Sequence, residues 1–414
     1  MQVKYADRTD VGLVRRQNED SLYIDPQTQL FVVCDGVGGR AGGAEASRTA
    51  CEFIGAEIAK NRKLIQEFAG NSGNATRRDI GGLLERVISE ASGAVRRQAA
   101  TNQDFTGMAT TNVTLLVAGG HAFIGHVGDS RVYLVRQGVM HPLTEDHSVM
   151  NDMKRRGRSP ERGHIGATFT EALTRALGVL DSARVDLLDL ELIPGDRFIL
   201  CTDGIHGVLG DDQMQVVVPR GAVTEVADDL IEAALQRGAP DNATCVVVDI
   251  LDDKSADRAM LVRRRLEALQ GVSMFRYLPY ADLIRVAGIA TERVLKAGTE
   301  LCREGEFGES LFIILEGSAT VMKSASSSQG DGVQIAELQP GQHVGEMSLI
   351  ERAPRSATVR AKTAMSVLVI ERDAFFGLLS EEQTAVKLLW GLVRMLNARL
   401  RTTSDELSHL KAKS

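Results

Sequence analysis

Eight β-branched, apolar runs fall within the first 250 residues: SLYI, LFVVC, NVTLLVA, HAFIGHV, RVYLVR, RVDLLDL, RFILC and TCVVVDI. Many are separated by only two to five turn residues. A parallel pair needs a crossover of about a dozen residues, so connections this short restrict the strands to antiparallel pairing. Two amphipathic helices are predicted between them, over Ala44 to Lys60 and Asp79 to Thr101. The second carries Leu83, Leu84, Val87, Ile88, Ala91 and Val95 at three- and four-residue spacing. Together these predict an α+β fold in which helices cover a face of antiparallel sheet.

Several of the strands end or begin at an acid. Asp35 closes FVVCD, Asp203 follows FILCT, Asp241 opens DNATCVVVDI, Asp129 occupies the turn of HVGDSRVYLV, and Glu19 and Asp20 precede SLYI. Any one of these is ordinary turn chemistry. If they converge, mutual repulsion would raise their pKa values unless cations compensate, and an all-oxygen donor set selects magnesium or manganese. The glycines after Asp35 offer a rival reading. Gly36, Gly38 and Ala41 satisfy the dinucleotide fingerprint G-x-G-x-x-A, but the helix that follows runs on into NRKLIQEFAGNSGN and reaches no second strand with a ribose-binding acid.

At 414 residues, 43% hydrophobic and 25% charged, the chain is about twice the length one core usually supports, so two or three domains are expected. A formal charge of −7 argues against nucleic acid and against an anionic membrane surface. No apolar run approaches the ~20 residues of a membrane span, and MQVKYADRTD has no signal-peptide pattern, so a cytoplasmic location is expected. Cys34, Cys51, Cys201, Cys245 and Cys302 form no CxxC pair and read as free thiols. His126, His147, His164 and His206 read as hydrogen-bonded core or surface residues. The polar stretch MNDMKRRGRSPERGHIGATFT, residues 150–170, reads as a flap over the acidic site. Its KRRGR cluster fits either a solvated face or a basic lip beside the site.

RRQNED, CDGVGG, GDSR, TEDHS, LTRALG, TDG and DNAT occur in that order, and together they resemble the metal-dependent type 2C protein serine/threonine phosphatases, especially the bacterial branch. The resemblance implies two packed antiparallel sheets flanked by helices, over residues 1–250. It implies that Asp35 bridges two manganese or magnesium ions beside the Gly36 carbonyl, that Asp203 and Asp241 hold one ion, and that Glu19 holds the other. Asp20 would order metal-bound water, Asp129 would serve a third, weaker metal site, and Arg15 would grip the substrate phosphate. The implied reaction is hydrolysis of a phosphorylated protein by metal-activated water. One departure stands out: Val37 occupies the place of a histidine that animal members use to protonate the leaving group, which leaves the general acid unassigned.

Beyond a charged, helical connector at 251–270, glycine-punctuated short strands predict a small β-roll over 271–402, with a short tail at 403–414. The stretch GEMSLIERAPRSAT resembles the cyclic-nucleotide-binding domain. By that resemblance Gly345 permits close approach, Glu346 accepts from the ribose 2′-hydroxyl, and Arg355 pairs with the cyclic phosphate. Ser356 and the Ala357 amide complete the cradle, beside the turn that starts at Met347. Ser356 favours cAMP over cGMP in this comparison. Leu388, Val393, Leu396 and Leu400 read as one apolar stripe of a C-terminal helix, packed on the roll or used for homodimerisation. The expected function is a phosphatase regulated by a cyclic nucleotide. Two alternatives stay open: a constitutive phosphatase whose roll is a ligand-free dimerisation module, and a non-catalytic sensor on a phosphatase scaffold.

Overall fold

The computed structural model describes the chain except residues 39–41, 72, 156–171, 252–255, 325–331, 381 and 414. It divides into two compact units, Met1–Ala256 and Asp257–Ser414. Most of the predicted flap, including His164, lies outside the described residues.

The first unit contains two antiparallel sheets. One runs in the order Val3–Asp10, Ala243–Ile250, Arg197–Cys201, Arg131–Arg136, Val139–Pro142. The other runs Asp20–Asp25, Leu30–Val37, Asn112–Ala118, His121–Val127, Asp186–Glu191, with the short strand Ala109–Thr110 added beside Leu30–Val37. Helices cover both outer faces. Gly42–Lys60 and Arg77–Ala99 pack on Leu30, Val32, Cys34, Leu116 and Phe123 of the second sheet. Val223–Gln236 and its shorter neighbours pack on Tyr133, Ile199, Cys201, Cys245 and Val247 of the first. Because strand side chains alternate, Phe31, Val33, Phe198, Leu200, Val246 and Val248 turn the other way, between the sheets, where the rings of Tyr5 and Phe31 meet edge to face at 5.4 Å. Strands buried on both faces read as continuous apolar runs, which is why these were visible in the sequence. The strand Val3–Asp10, with only Ala6 buried, was not.

In the second unit, four strands (Thr291–Leu295, Met365–Glu371, Ser310–Glu316, His343–Val344) face four others (Glu300–Cys302, Thr358–Ala361, Ala319–Lys323, Val333–Leu338) in a roll. Its core is built from Phe312, Ile314, Val359, Met365, Val367 and Val369. The predicted connector is the helix Ala256–Gly271, and it belongs to this unit. Arg264 and Arg265 both pair with Glu292 of the first roll strand, and Arg264 also pairs with Glu316. A single helix, Glu382–Lys413, closes the unit and runs on through residues 403–413. Its apolar positions form two faces where one stripe was expected. Leu388, Leu392 and Met395 are buried, whereas Val386, Leu389, Val393, Leu396 and Leu400 are exposed. Five residues separate Leu388 from Val393, about 140° around a helix of 3.6 residues per turn.

A fully buried bidentate pair braces the first unit: Arg136 Nε and Nη2 donate to Asp196 at 2.8 and 2.7 Å, and the Ile193 amide adds a third bond to the same carboxylate. Asp196→Ala removes both charge-assisted bonds of this carboxylate from a buried guanidinium, and is expected to destabilise this unit by about 3–5 kcal/mol. Hydrogen exchange of the slowest amides in Arg131–Arg136 and Arg197–Cys201 would measure the loss.

Candidate active site

The acids converge because the strands are antiparallel and in register. Asp20 lies directly opposite Asp35, Ala243 opposite Asp10, Cys201 opposite Cys245, and Arg131 opposite Cys201. The strand ends carrying Asp20, Asp35, Asp129, Asp203 and Asp241 therefore meet at one end of the sandwich. Asp35 shares the parity of Phe31 and Val33, so the alternation that buries those residues between the sheets aims its carboxylate into the gap.

A cavity of about 1000 Å³ opens there, lined by Arg15, Glu19, Asp35, Gly36, Val37, Asp129, Asp203 and Asp241, among others. Asp20 lies behind it, with Oδ2 accepting from the Thr202 hydroxyl at 2.9 Å. Two glycines hold the acids close. A Cβ at Gly36 would come within 2.1 Å of the Gly43 carbonyl oxygen, and one at Gly43 would come within 2.5 Å of Glu19 Oε2 and 2.8 Å of the Gly36 oxygen. The Glu19 carboxylate and the Gly36 carbonyl thus flank one small space that a side chain would fill.

Burial pushes the Asp35 carboxyl well above the carboxylate range, and its neighbours Asp20 and Asp203 push it further. Asp20 and Asp129 are each raised to about 7, chiefly by burial. Asp203 is raised by burial and then by Asp241. Asp20 Oδ1 and Asp203 Oδ1 are buried and have no hydrogen-bond partner. Crowded, desolvated carboxylates with orphaned oxygens fit a divalent cation, and with no histidine or cysteine among the described lining residues the donor set suits manganese or magnesium. Arg15 is half-exposed and donates through Nη2 to Asp241 Oδ2 at 2.6 Å.

Several supporting residues were not singled out in the sequence. Asn242 clamps the loop that carries Arg15 and Glu19: its amide donates to the Val11 and Gln17 carbonyls, and its Oδ1 accepts from Glu19 N–H at 2.8 Å. Thr110 and Thr111 hold both backbone groups of Asp35. His147 Nδ1 accepts from Gly128 N–H at 3.0 Å and fixes the turn that carries Asp129. Its Nε2 faces Asp186 at 3.1 Å, and Arg175 bonds the same carboxylate at 2.6 Å. His126 stacks on His147 at 4.5 Å, and the two histidines with Asp186 could hold a metal ion on spacing alone. The guanidinium of Arg175 already supplies the positive charge there. Asn and Thr in a strand carry no sequence signal that separates a clamp from a filler; His147 was visible, but only as a hydrogen-bonded histidine.

The second unit holds a different cluster. Arg355 is buried, its Nη2 donates to the Ser310 carbonyl at 2.7 Å, and its Nε and Nη1 have no partner. Glycines again set the fit: a Cβ at Gly345 (φ +94°) would fall 2.3 Å from Nη1, and one at Gly308 only 1.9 Å from Nε. Glu346 is buried at the start of the short helix Met347–Ile350, while Ser356 is exposed and Ala357 half-buried. Gly308 had no place in the expected pocket.

Comparison with known proteins places both units. Residues 15–252 match the family described as Protein phosphatase 2C, and residues 292–382 match the Cyclic nucleotide-binding domain. Serine/threonine phosphatase stp of Listeria innocua is 30% identical over 246 residues, 58% of this chain and 94% of that protein. Serine/threonine protein phosphatase PstP of Mycobacterium tuberculosis is 33% identical over 251 residues, 60% of this chain, which spans 45% of the length of that relative. Among solved structures, PppA of Pseudomonas aeruginosa superposes with a TM-score of 0.51 at 28% identity, covering 60% of this chain and 98% of PppA. The PstP catalytic domain in complex with two manganese ions gives 0.50 at 32%, covering 60% and 99%. An antiparallel sandwich with a carboxylate-lined mouth and a C-terminal β-roll is thus the class to which this molecule conforms. The chain belongs to the protein phosphatase 2C family.

Without metal, the raised carboxyls make a specific pH dependence. The unfolded chain sheds the Asp20 proton near pH 4, while the folded unit keeps it to about pH 7. Metal-free stability contributed by this group therefore falls as pH rises through that window. In chelator, Asp20→Asn is expected to gain thermal stability over the parent progressively between about pH 4 and 7. Saturating manganese should reverse the order; melting curves at each pH with and without metal are the check.

Proposed function

We propose that this chain is a manganese- or magnesium-dependent phosphoserine/phosphothreonine protein phosphatase regulated by a cyclic nucleotide, with cAMP favoured over cGMP. The observation that carries the hydrolytic reading is the convergence of Glu19, Asp35, Asp129, Asp203, Asp241 and Arg15 on one cavity. The names of PstP and stp as serine/threonine phosphatases support it, as does the complex of PstP with two manganese ions. Asp35, Asp203, Asp241, Glu19 and the Gly36 carbonyl would hold the ions, and Asp129 would serve a further, weaker site. Bound there, divalent ions lower the pKa of water towards neutrality and neutralise the phosphate dianion.

The chain's own residues do the rest. Arg15, half-exposed in the cavity, presents a planar fork that matches phosphate oxygens as lysine would not. Asp20, directly opposite Asp35 with Oδ1 unpartnered, would accept a hydrogen bond from the attacking water. Val37 lines the cavity and carries no proton, so the leaving oxygen must be protonated by another group.

The regulatory reading rests on Arg355, a buried cation whose Nε and Nη1 are both unpartnered, in a space that Gly308 and Gly345 keep clear. Such a group calls for an anion. Glu346 beside it would take the ribose hydroxyl, and Met347, Ser356 and the Ala357 amide would border the phosphate.

A manganese-supplemented phosphopeptide assay titrated with cAMP and cGMP tests both halves. Asp35→Asn is expected to cost more than the roughly 100-fold typical of losing only an outer-shell partner. Arg355→Ala should weaken nucleotide binding by about 30-fold or more, the equivalent of about 2 kcal/mol for truncating one side of a buried charge pair. Full turnover by Asp35→Asn would refute the catalytic assignment, and unchanged binding by Arg355→Ala the regulatory one.

One observation favours a second reading, in which the C-terminal helices also pair two chains. Val386, Leu389, Val393, Leu396 and Leu400 are all exposed and follow the alternating three- and four-residue steps of a heptad seam. If they pair, Val393→Glu should convert a dimer to a monomer in sedimentation at micromolar concentration.

A further inference from the structure

The cavity has an apolar wall that hydrolysis does not explain. Val37, Val179 and Leu180 all line it, yet they are 45%, 61% and 63% exposed. The loop bearing the last two is anchored at several points. Leu177 is fully buried and pairs with Thr110 through two backbone hydrogen bonds of 3.0 and 2.8 Å. Gly178 takes a positive φ of 97°, where a Cβ would strike Val95 and the Met108 carbonyl. The fully buried Ser92 hydroxyl accepts from Gly178 N–H at 2.9 Å and donates to the Leu180 carbonyl at 2.6 Å, gripping the loop on both sides of Val179. Val37 is fixed separately, by its pairing with Ala109 at the end of the strand that carries Asp35.

Large apolar side chains on a mobile loop would collapse onto the nearest surface. Here the anchors hold them out to water beside the reactive carboxylates, which is unfavourable until something covers them. We propose that Val37, Val179 and Leu180 form a selectivity surface that receives a hydrophobic side chain neighbouring the phosphorylated serine or threonine of the substrate. The inference rests on reading the cavity as a phosphatase site. Continuity with that site selects the occupant: once the phosphate is seated among Arg15 and the acids, the residues adjoining it in the substrate chain are the groups brought against the same cavity's wall. Rigid display also suits selection, because a surface ordered beforehand loses less freedom on binding.

The test compares two manganese-supported phosphoserine peptides that differ only in carrying leucine or serine beside the phosphoserine, with p-nitrophenyl phosphate as the reference to which peptide rates are normalised. The parent chain is expected to prefer the leucine peptide by about tenfold or more in kcat/KM, mainly through KM, and the Val179→Ser/Leu180→Ser double variant to reduce that preference to about twofold or less. Leu180→Ser alone should fall between. Equal rates on the two peptides in the parent, or an undiminished preference in the double variant, would overturn the inference while the phosphatase reading stands. Dissociation of a dimer by the double variant, without a parental preference, would assign the surface to a second copy and overturn it too. Absence of turnover on every phosphoester would remove the underlying reading, and this inference with it.

Discussion

Repulsion among buried carboxylates is the constraint around which the first unit is built. Asp20 and Asp35 are opposed across a strand pair, an arrangement that is unfavourable for like charges in any sheet. It persists because the surrounding structure leaves these acids no alternative position. Thr110 and Thr111 fasten the Asp35 backbone, Asn242 fastens the Glu19 loop, and the Gly36–Gly43 approach admits no side chain that could push the acids apart. The layers of helix and sheet supply the stability against which this local strain is set.

The parts of this design that were legible in the sequence are those governed by periodicity. NVTLLVA, HAFIGHV, RVYLVR and RFILC appear with the same boundaries as the observed strands, since burial on both faces leaves no polar interruption. The acids were legible because each punctuates such a run. The strand Val3–Asp10 was not, because a largely polar sequence there is held by pairing with Ala243–Ile250 and not by its own burial. Nor was the grip of Ser92 on the Val179 loop, since it joins residues 88 positions apart. The C-terminal helix shows the limit from the other side: Leu388 and Val393 are alike in composition, and only the angle between them decides which faces inward.

Glycine has two distinct uses in the molecule. At Gly178 and Gly345 the backbone occupies the left-handed region, which few other residues enter without strain, and a Cβ would collide there as well. At Gly36, Gly43 and Gly308 the requirement is space: a Cβ would collide with a neighbouring carbonyl, carboxylate or guanidinium. At Gly36 the dinucleotide fingerprint is thus met for a reason unrelated to dinucleotides, namely the close approach of its backbone to Gly43 and the Glu19 loop.

On the reading proposed above, the two units meet the same chemical group, a phosphoester anion, by opposite means. The first offers mostly carboxylates, which repel a phosphate until cations intervene, so its affinity is conditional on metal supply. The second offers a guanidinium, always charged and already desolvated, with donors standing ready in a cleft shaped by glycines. A catalytic site gains from the first arrangement, because the cations that admit the substrate also activate the water that attacks it. A sensing site gains from the second. A fixed cation responds to the ligand's concentration alone, and a reporter of a small anionic signal is more faithful when its occupancy does not also depend on the metal that drives the neighbouring chemistry.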